Sequence, residues 1–166
     1  MGGLGTRVEQ FLILITQETV KMTSATITLK DGFKVEAVSG GHHIIADEPL
    51  DAGGTDEGPT PKHYLAVALG SCSAVTVKMY AQRKGWPLEE IDVQVSFDSF
   101  KAPDYPDYDG DSDVVNEFRQ VITFKGDLTE EQRLRLLEIA GKCPVHRILT
   151  QPNFMIETLV GSETGE

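Results

Sequence analysis

Sulfur is scarce in this chain: 166 residues carry two cysteines, Cys72 and Cys143. That count excludes a disulfide-stapled secreted scaffold, and with no export signal it points to a reducing, cytoplasmic setting. Positive charge is also in short supply. Fifteen Lys and Arg stand against 26 Asp and Glu, for a net charge of −11. A surface this negative repels phosphate backbones and anionic lipid, so neither nucleic acid nor a membrane is an expected partner. The N-terminal region has no long apolar run. "FLILI" (11–15) is five residues, too short for a signal-peptide core or a membrane span. Residues 1–21 read as an N-terminal extension, disordered or weakly docked, with Met22 as an alternative start to Met1. Residues 22–166 read as a single domain.

What is present is patterned. "ATITLKDGFKVEAV" (25–38) is two alternating runs around Asp31-Gly32, a hairpin signal. "HHIIAD" (42–47) follows Gly40-Gly41 as a third strand, and "EPLDAGGTDEGPTP" (48–61) reads as a loop. Pro61 suits the first position of a helix that Thr60 can cap. That helix runs to about Gly85, with Leu65, Ala68, Cys72, Val75 and Met79 at helical spacing. Val67, Leu69, Ala74 and Val77 lie between them, so the helix is expected to be central and covered on most sides. Gly70, Ser71, Ser73 and Ala74 keep its waist thin.

"IDVQVSF" (91–97) and "EFRQVITFKG" (117–126) alternate as strands on either side of an acidic loop, "KAPDYPDYDGDSD" (101–113). Thr129 and Gln132 form a capping box for a second helix, with Leu134, Leu137 and Ile139 expected inward. "PVHRIL" opens a short turn after Cys143, and "FMIETLV" (154–160) is expected to close as a strand. Strands and helices come in clusters, which gives an α+β fold with a mainly antiparallel sheet.

Cys143 has the more reactive local setting. It precedes Pro144 and can cap a short helix, where free amides favour thiolate, and His146 and Arg147 follow it. Cys72 lies in mid-helix and needs a cation or donor from elsewhere. Both thiols also suit plain core filling.

The stretches "GPTPKHYLAVALGSCSAVTVKMYAQRKGWPLEEIDVQVSFD" (58–98) and "LTEEQRLRLLEIAGKCPVHRILT" (128–150) resemble the OsmC/Ohr family, more closely its OsmC-like branch. The shared features are a Gly-Pro-x-Pro lead-in, a first cysteine in a small-residue helix, and a second in Cys-Pro-x-His. The likeness extends from about Ala25 to Val160. It implies an intertwined homodimer in which two long central helices are wrapped by sheets. It also implies reduction of organic hydroperoxides, with Cys72 as the peroxidatic and Cys143 as the resolving thiol. No bound cofactor is implied, only an external dithiol reductant.

Peroxidase members carry a glutamate nine or ten positions before the first cysteine, orienting an arginine from the N-terminal hairpin. Those positions here hold His63 and Lys62, and residues 25–47 contain no arginine. The positive charge beside Cys72 is therefore assigned to His63 or Lys62, with His146 and Arg147 near Cys143. His63 lies about 13–14 Å from Cys72 along a helix, so a bend or a partner subunit would have to bring it close.

Two other constellations carry less. Cys72, Cys143, His63 and His146 are zinc-ligand types, without compact zinc spacing. "DYDGDSD" (107–113) has Gly110 at the fourth position rather than the sixth, and Phe118 at the twelfth, so it reads as a solvated loop rather than a calcium site. The reading is thus a dimeric, thiol-dependent hydroperoxide reductase. The alternative is a redox-sensing or small-ligand-binding protein on the same scaffold.

Overall fold

The computed structural model describes residues 23–159. The expected extension over 1–21 and the choice of start lie outside them. The chain forms two compact units that meet in sequence at Thr60 and Pro61.

The first unit is a three-stranded antiparallel sheet in the order β1 (Ala25–Leu29), β2 (Val35–Ser39), β3 (His42–Ala46). Gly40 and Gly41 both take positive φ, 57° and 81°, between the paired Ser39 and His42. Two such residues in succession make the turn whose twist matches a hairpin, and glycine adopts it without strain.

The loop after β3 is organised by Asp47, which is buried. Its Oδ1 accepts from the Glu48 amide at 2.8 Å. Its Oδ2 accepts from the Thr55 hydroxyl at 2.6 Å, the Thr55 amide at 3.0 Å and the Glu57 amide at 3.2 Å. Lys34, at the head of β2, pairs with Glu57 and ties the far end of the loop to the sheet.

The second unit is built on α1 (Pro61–Lys84), which lies on a long ribbon of β4 (Glu90–Lys101) and β5 (Val114–Lys125). Then come α2 (Glu130–Ala140) and α3 (Pro144–Thr150). The capping box expected at Thr129 and Gln132 is formed in both directions. The core gathers Val77 and Ala81 of α1, Phe124 of β5, and Leu136, Ile139 and Ala140 of α2, together with Leu88 and Leu128. The α+β class and the antiparallel pairing are as the sequence implied.

Three expectations change. Leu134 and Leu137 point outward, and Leu136 turns inward beside Ile139, which is buried as expected, because the stripe facing α1 is the one that continues through Ala140 to Cys143. The helix α1 is not covered on most sides. Leu69, Gly70, Ser73, Val77 and Ala81 are buried, whereas Leu65, Val67, Val75 and Met79 remain exposed. By length and composition alone α1 could also cross a membrane. Finally, residues 154–159 form no strand: Phe154, Met155, Ile156 and Leu159 are all exposed. A strand needs a ladder partner, and the two sheets of the described residues offer this segment none.

The Asp47 carboxyl is held at about 2, below its ordinary value of 3.8, first by the Thr55 hydroxyl and then by the three amides. A lowered folded-state value means that its stabilisation is present above about pH 4 and is lost as pH falls toward 2. Asp47→Asn should therefore speed hydrogen exchange at the Glu48, Thr55 and Glu57 amides by about tenfold or more at pH 7. The gap between variant and parent should close toward pH 2.

Candidate functional site

Both cysteines sit in the second unit, and the period of α1 decides how they are presented. Ser73 belongs to the buried stripe with Leu69, Gly70 and Val77. Cys72, one residue earlier, is turned about 100° away and lies half-buried at the edge of that stripe. Gly70 allows the close approach that seats the helix. A Cβ built there would stand 3.0 Å from Cγ2 of Val95 on β4.

Cys143 is the N-cap of α3, with extended backbone (φ −66°, ψ 151°) and Pro144 in the first turn. Its side chain is fully buried. The sulfur accepts from the His146 amide at 3.3 Å and lies 3.4 Å from the Ser73 hydroxyl oxygen. That hydroxyl is also 3.3 Å from the Ala140 carbonyl oxygen. Both thiols are free. The fold thus brings Cys143 against the residue that follows Cys72 in the chain, across 70 positions of sequence.

His146 is half-buried and lines a cleft of about 360 Å³ with Leu65 and Leu69 of α1, Leu149 of α3, and Phe97 and Phe118 of the ribbon. The two phenylalanine rings are stacked at 4.5 Å. Gln120 also lines the cleft, and its Oε1 is buried with no hydrogen-bond partner among the described residues. Among the described residues no Asp, Glu, Lys or Arg lines this cleft, and Asn116 and Thr150 join Gln120 as its uncharged polar groups, so its walls suit a body that is part apolar and part uncharged polar.

Lys62 and His63 occupy the first turn of α1 and are exposed. Because α1 is one continuous helix, nine residues carry His63 about 13–14 Å from Cys72 and to the opposite face. No bend in the helix brings it nearer. Arg147 is exposed on α3. The described residues contain no group of three or more His, Cys, Asp or Glu side chains placed to hold a metal ion.

Sequence reasoning treated Ser73 only as a small residue easing close packing. Its membership of the stripe 69-70-73-77 was the available signal that it points inward. The Phe97–Phe118 stack was not visible, because it depends on a cross-strand register set by the whole ribbon.

A family model described as OsmC-like protein matches residues 54–158. Solved structures share the fold. An OsmC-like protein from Mycoplasma pneumoniae superposes with a TM-score of 0.63 at 21% identity, covering 79% of this chain and 89% of that one. An organic hydroperoxide resistance protein OsmC from Legionella pneumophila gives 0.60 at 16% identity, over 80% and 92%. One from Elizabethkingia anophelis, with thiocyanate bound, gives 0.60 at 17%, over 81% and 91%. No curated protein matches the chain by sequence.

Burial orders the two thiols. A thiol-reactive disulfide such as Ellman's reagent should label Cys72 first and Cys143 only on unfolding, as peptide mapping of the labelled chain would show.

Proposed function

Because the chain belongs to the OsmC-like protein family, we propose that it is a cytoplasmic homodimer that reduces organic hydroperoxides through Cys72 and Cys143. The names of the Legionella and Elizabethkingia structures favour hydroperoxide as the substrate class. The observation that carries the reading is the 3.4 Å approach of Ser73 to the Cys143 sulfur, which places the two cysteines on touching segments.

Cys72, at the accessible edge of α1, attacks a peroxide oxygen as thiolate. The O–O bond breaks, the alcohol departs with a proton, and Cys72 becomes a sulfenic acid. Cys143 thiolate then attacks that sulfur, hydroxide leaves as water after taking up a proton, and a disulfide forms. An external dithiol restores both thiols by two exchanges, with no bound cofactor. The cleft beside His146, with Leu65, Leu69, Phe97 and Phe118 in its walls, suits the organic part of the peroxide.

The homodimer rests on the uncovered face of α1. Leu65, Val75 and Met79 are exposed along the stripe that includes Cys72, and residues 64–77 carry no Asp, Glu, Lys or Arg. An apolar, uncharged face is where two copies of a strongly negative chain can meet with least repulsion. A cation for Cys72 would come from a partner's Lys62, since His63 lies on the opposite face of the helix.

One observation favours a second reading, a redox sensor or small-ligand binder. His63 stands where the family's activating glutamate is expected, and it lies on the far side of α1. Turnover separates the two. With excess dithiol the wild type should consume many equivalents of organic hydroperoxide. Cys72→Ser should fall to the uncatalysed background, and Cys143→Ser should slow after one equivalent. Oxidation that stops at one equivalent in the wild type would select the sensor. For the assembly, Val75→Asp with Met79→Asp should convert a dimer to monomer in analytical ultracentrifugation, and an unchanged mass would remove α1 from the interface.

A further inference from the structure

Ser73 places a hydroxyl where it has two acceptors and one proton. It is fully buried, with its oxygen 3.3 Å from the Ala140 carbonyl oxygen and 3.4 Å from the Cys143 sulfur. A neutral thiol is a weak acceptor, so while Cys143 is protonated the carbonyl is the better partner. A thiolate is a charged acceptor, and hydrogen bonds to charged groups are about twice as strong as neutral ones. Loss of the Cys143 proton therefore reverses the preference, and a rotation about the Ser73 Cβ–Oγ bond moves the donor from oxygen to sulfur.

We propose that Ser73 is a positioning residue for the resolving step, turning its hydroxyl onto Cys143 as the thiolate forms and holding that sulfur ready to close on Cys72. The proposal rests on the reading of Cys143 as the resolving thiol. In that step the Cys143 thiolate forms the S–S bond, the S–O bond of the Cys72 sulfenic acid breaks, and the departing hydroxide takes up a proton to leave as water. The two electrons removed from sulfur were accepted earlier by the hydroperoxide.

The surroundings give the hydroxyl its weight. α1 brings no charged side chain between His63 and Lys78, only Cys72 and Tyr64 as titratable groups. From α2 the nearest acid is Glu138, which is paired with Lys142 and Arg135. Beyond it come Lys142 and, on α3, His146 and Arg147. His146 reaches the sulfur through its backbone amide. The direct donors to the sulfur among the described residues are thus one amide and one hydroxyl, and only the hydroxyl belongs to a side chain.

The test follows thiolate absorbance against pH in a Cys72→Ser background, where Cys143 is the one thiol left. Adding Ser73→Ala should raise the midpoint by about one pH unit, or about tenfold less thiolate below it. Ser73→Thr, which keeps the hydroxyl, should restore the midpoint. An unmoved midpoint in Ser73→Ala overturns the proposal, and so does an equal rise in both variants, which would mean packing rather than donation. With both cysteines present, Ser73→Ala should slow disulfide closure after one equivalent of organic hydroperoxide by about tenfold at pH 7. If hydroperoxide oxidises Cys72 in neither protein, the hydroperoxide reading fails, and the titration alone decides the role of Ser73.

Discussion

Gly70 has no side chain where α1 crosses the β4–β5 ribbon, and a Cβ there would press on Val95. The buried stripe of α1 continues from that close approach. It seats Ser73 deep in the interior, gives Val77 and Ala81 their place among Phe124, Leu136 and Ile139, and brings Cys143 under the helix. A Cβ there would require the Val95 side chain or the helix to give by a few tenths of an ångström. Close-packed interiors absorb such shifts poorly.

The same helix divides the chemistry between its faces. One stripe is spent on the core and on the contact with the Cys143 sulfur. The next, about a quarter-turn away, carries Cys72 among apolar side chains that the single chain leaves bare. A half-buried thiol on an uncovered apolar face and a fully buried thiol beneath it make an asymmetric pair. One is reachable from outside, and the other is held in the interior by hydrogen bonds.

Much of this was legible from periodicity. The two alternating runs on either side of the acidic loop became β4 and β5, the capping box at Thr129 is formed, and Cys143 caps α3. These are local signals, decided by residues within one turn or one strand. What was not legible depends on partners distant in sequence. Which of α1's apolar stripes is buried could not be read from a helix apolar nearly all round. The choice between Leu134 and Leu136 as the inward residue of α2 depends on where α1 lies. The segment 154–159 alternates like a strand, but a strand is defined by its neighbour. The Ser73–Cys143 contact spans 70 positions, and no pattern within either helix announces it.

The continuity of α1 constrains how this sequence can vary. Cys72 and Ser73 are referred to the core through Val77 and Ala81, a few residues further along the same rod. Inserting one residue between them would turn the cysteine by about 100° relative to the anchor, off the apolar stripe it shares with Leu65, Val75 and Met79. Inserting four would restore its direction to within about 40°, at the cost of moving it about 6 Å along the axis. Length changes are therefore easiest to absorb in the loops before Pro61 and after Gly85, while the stretch from Gly70 to Ala81 behaves as a fixed-pitch screw whose thread count sets where the sulfur points.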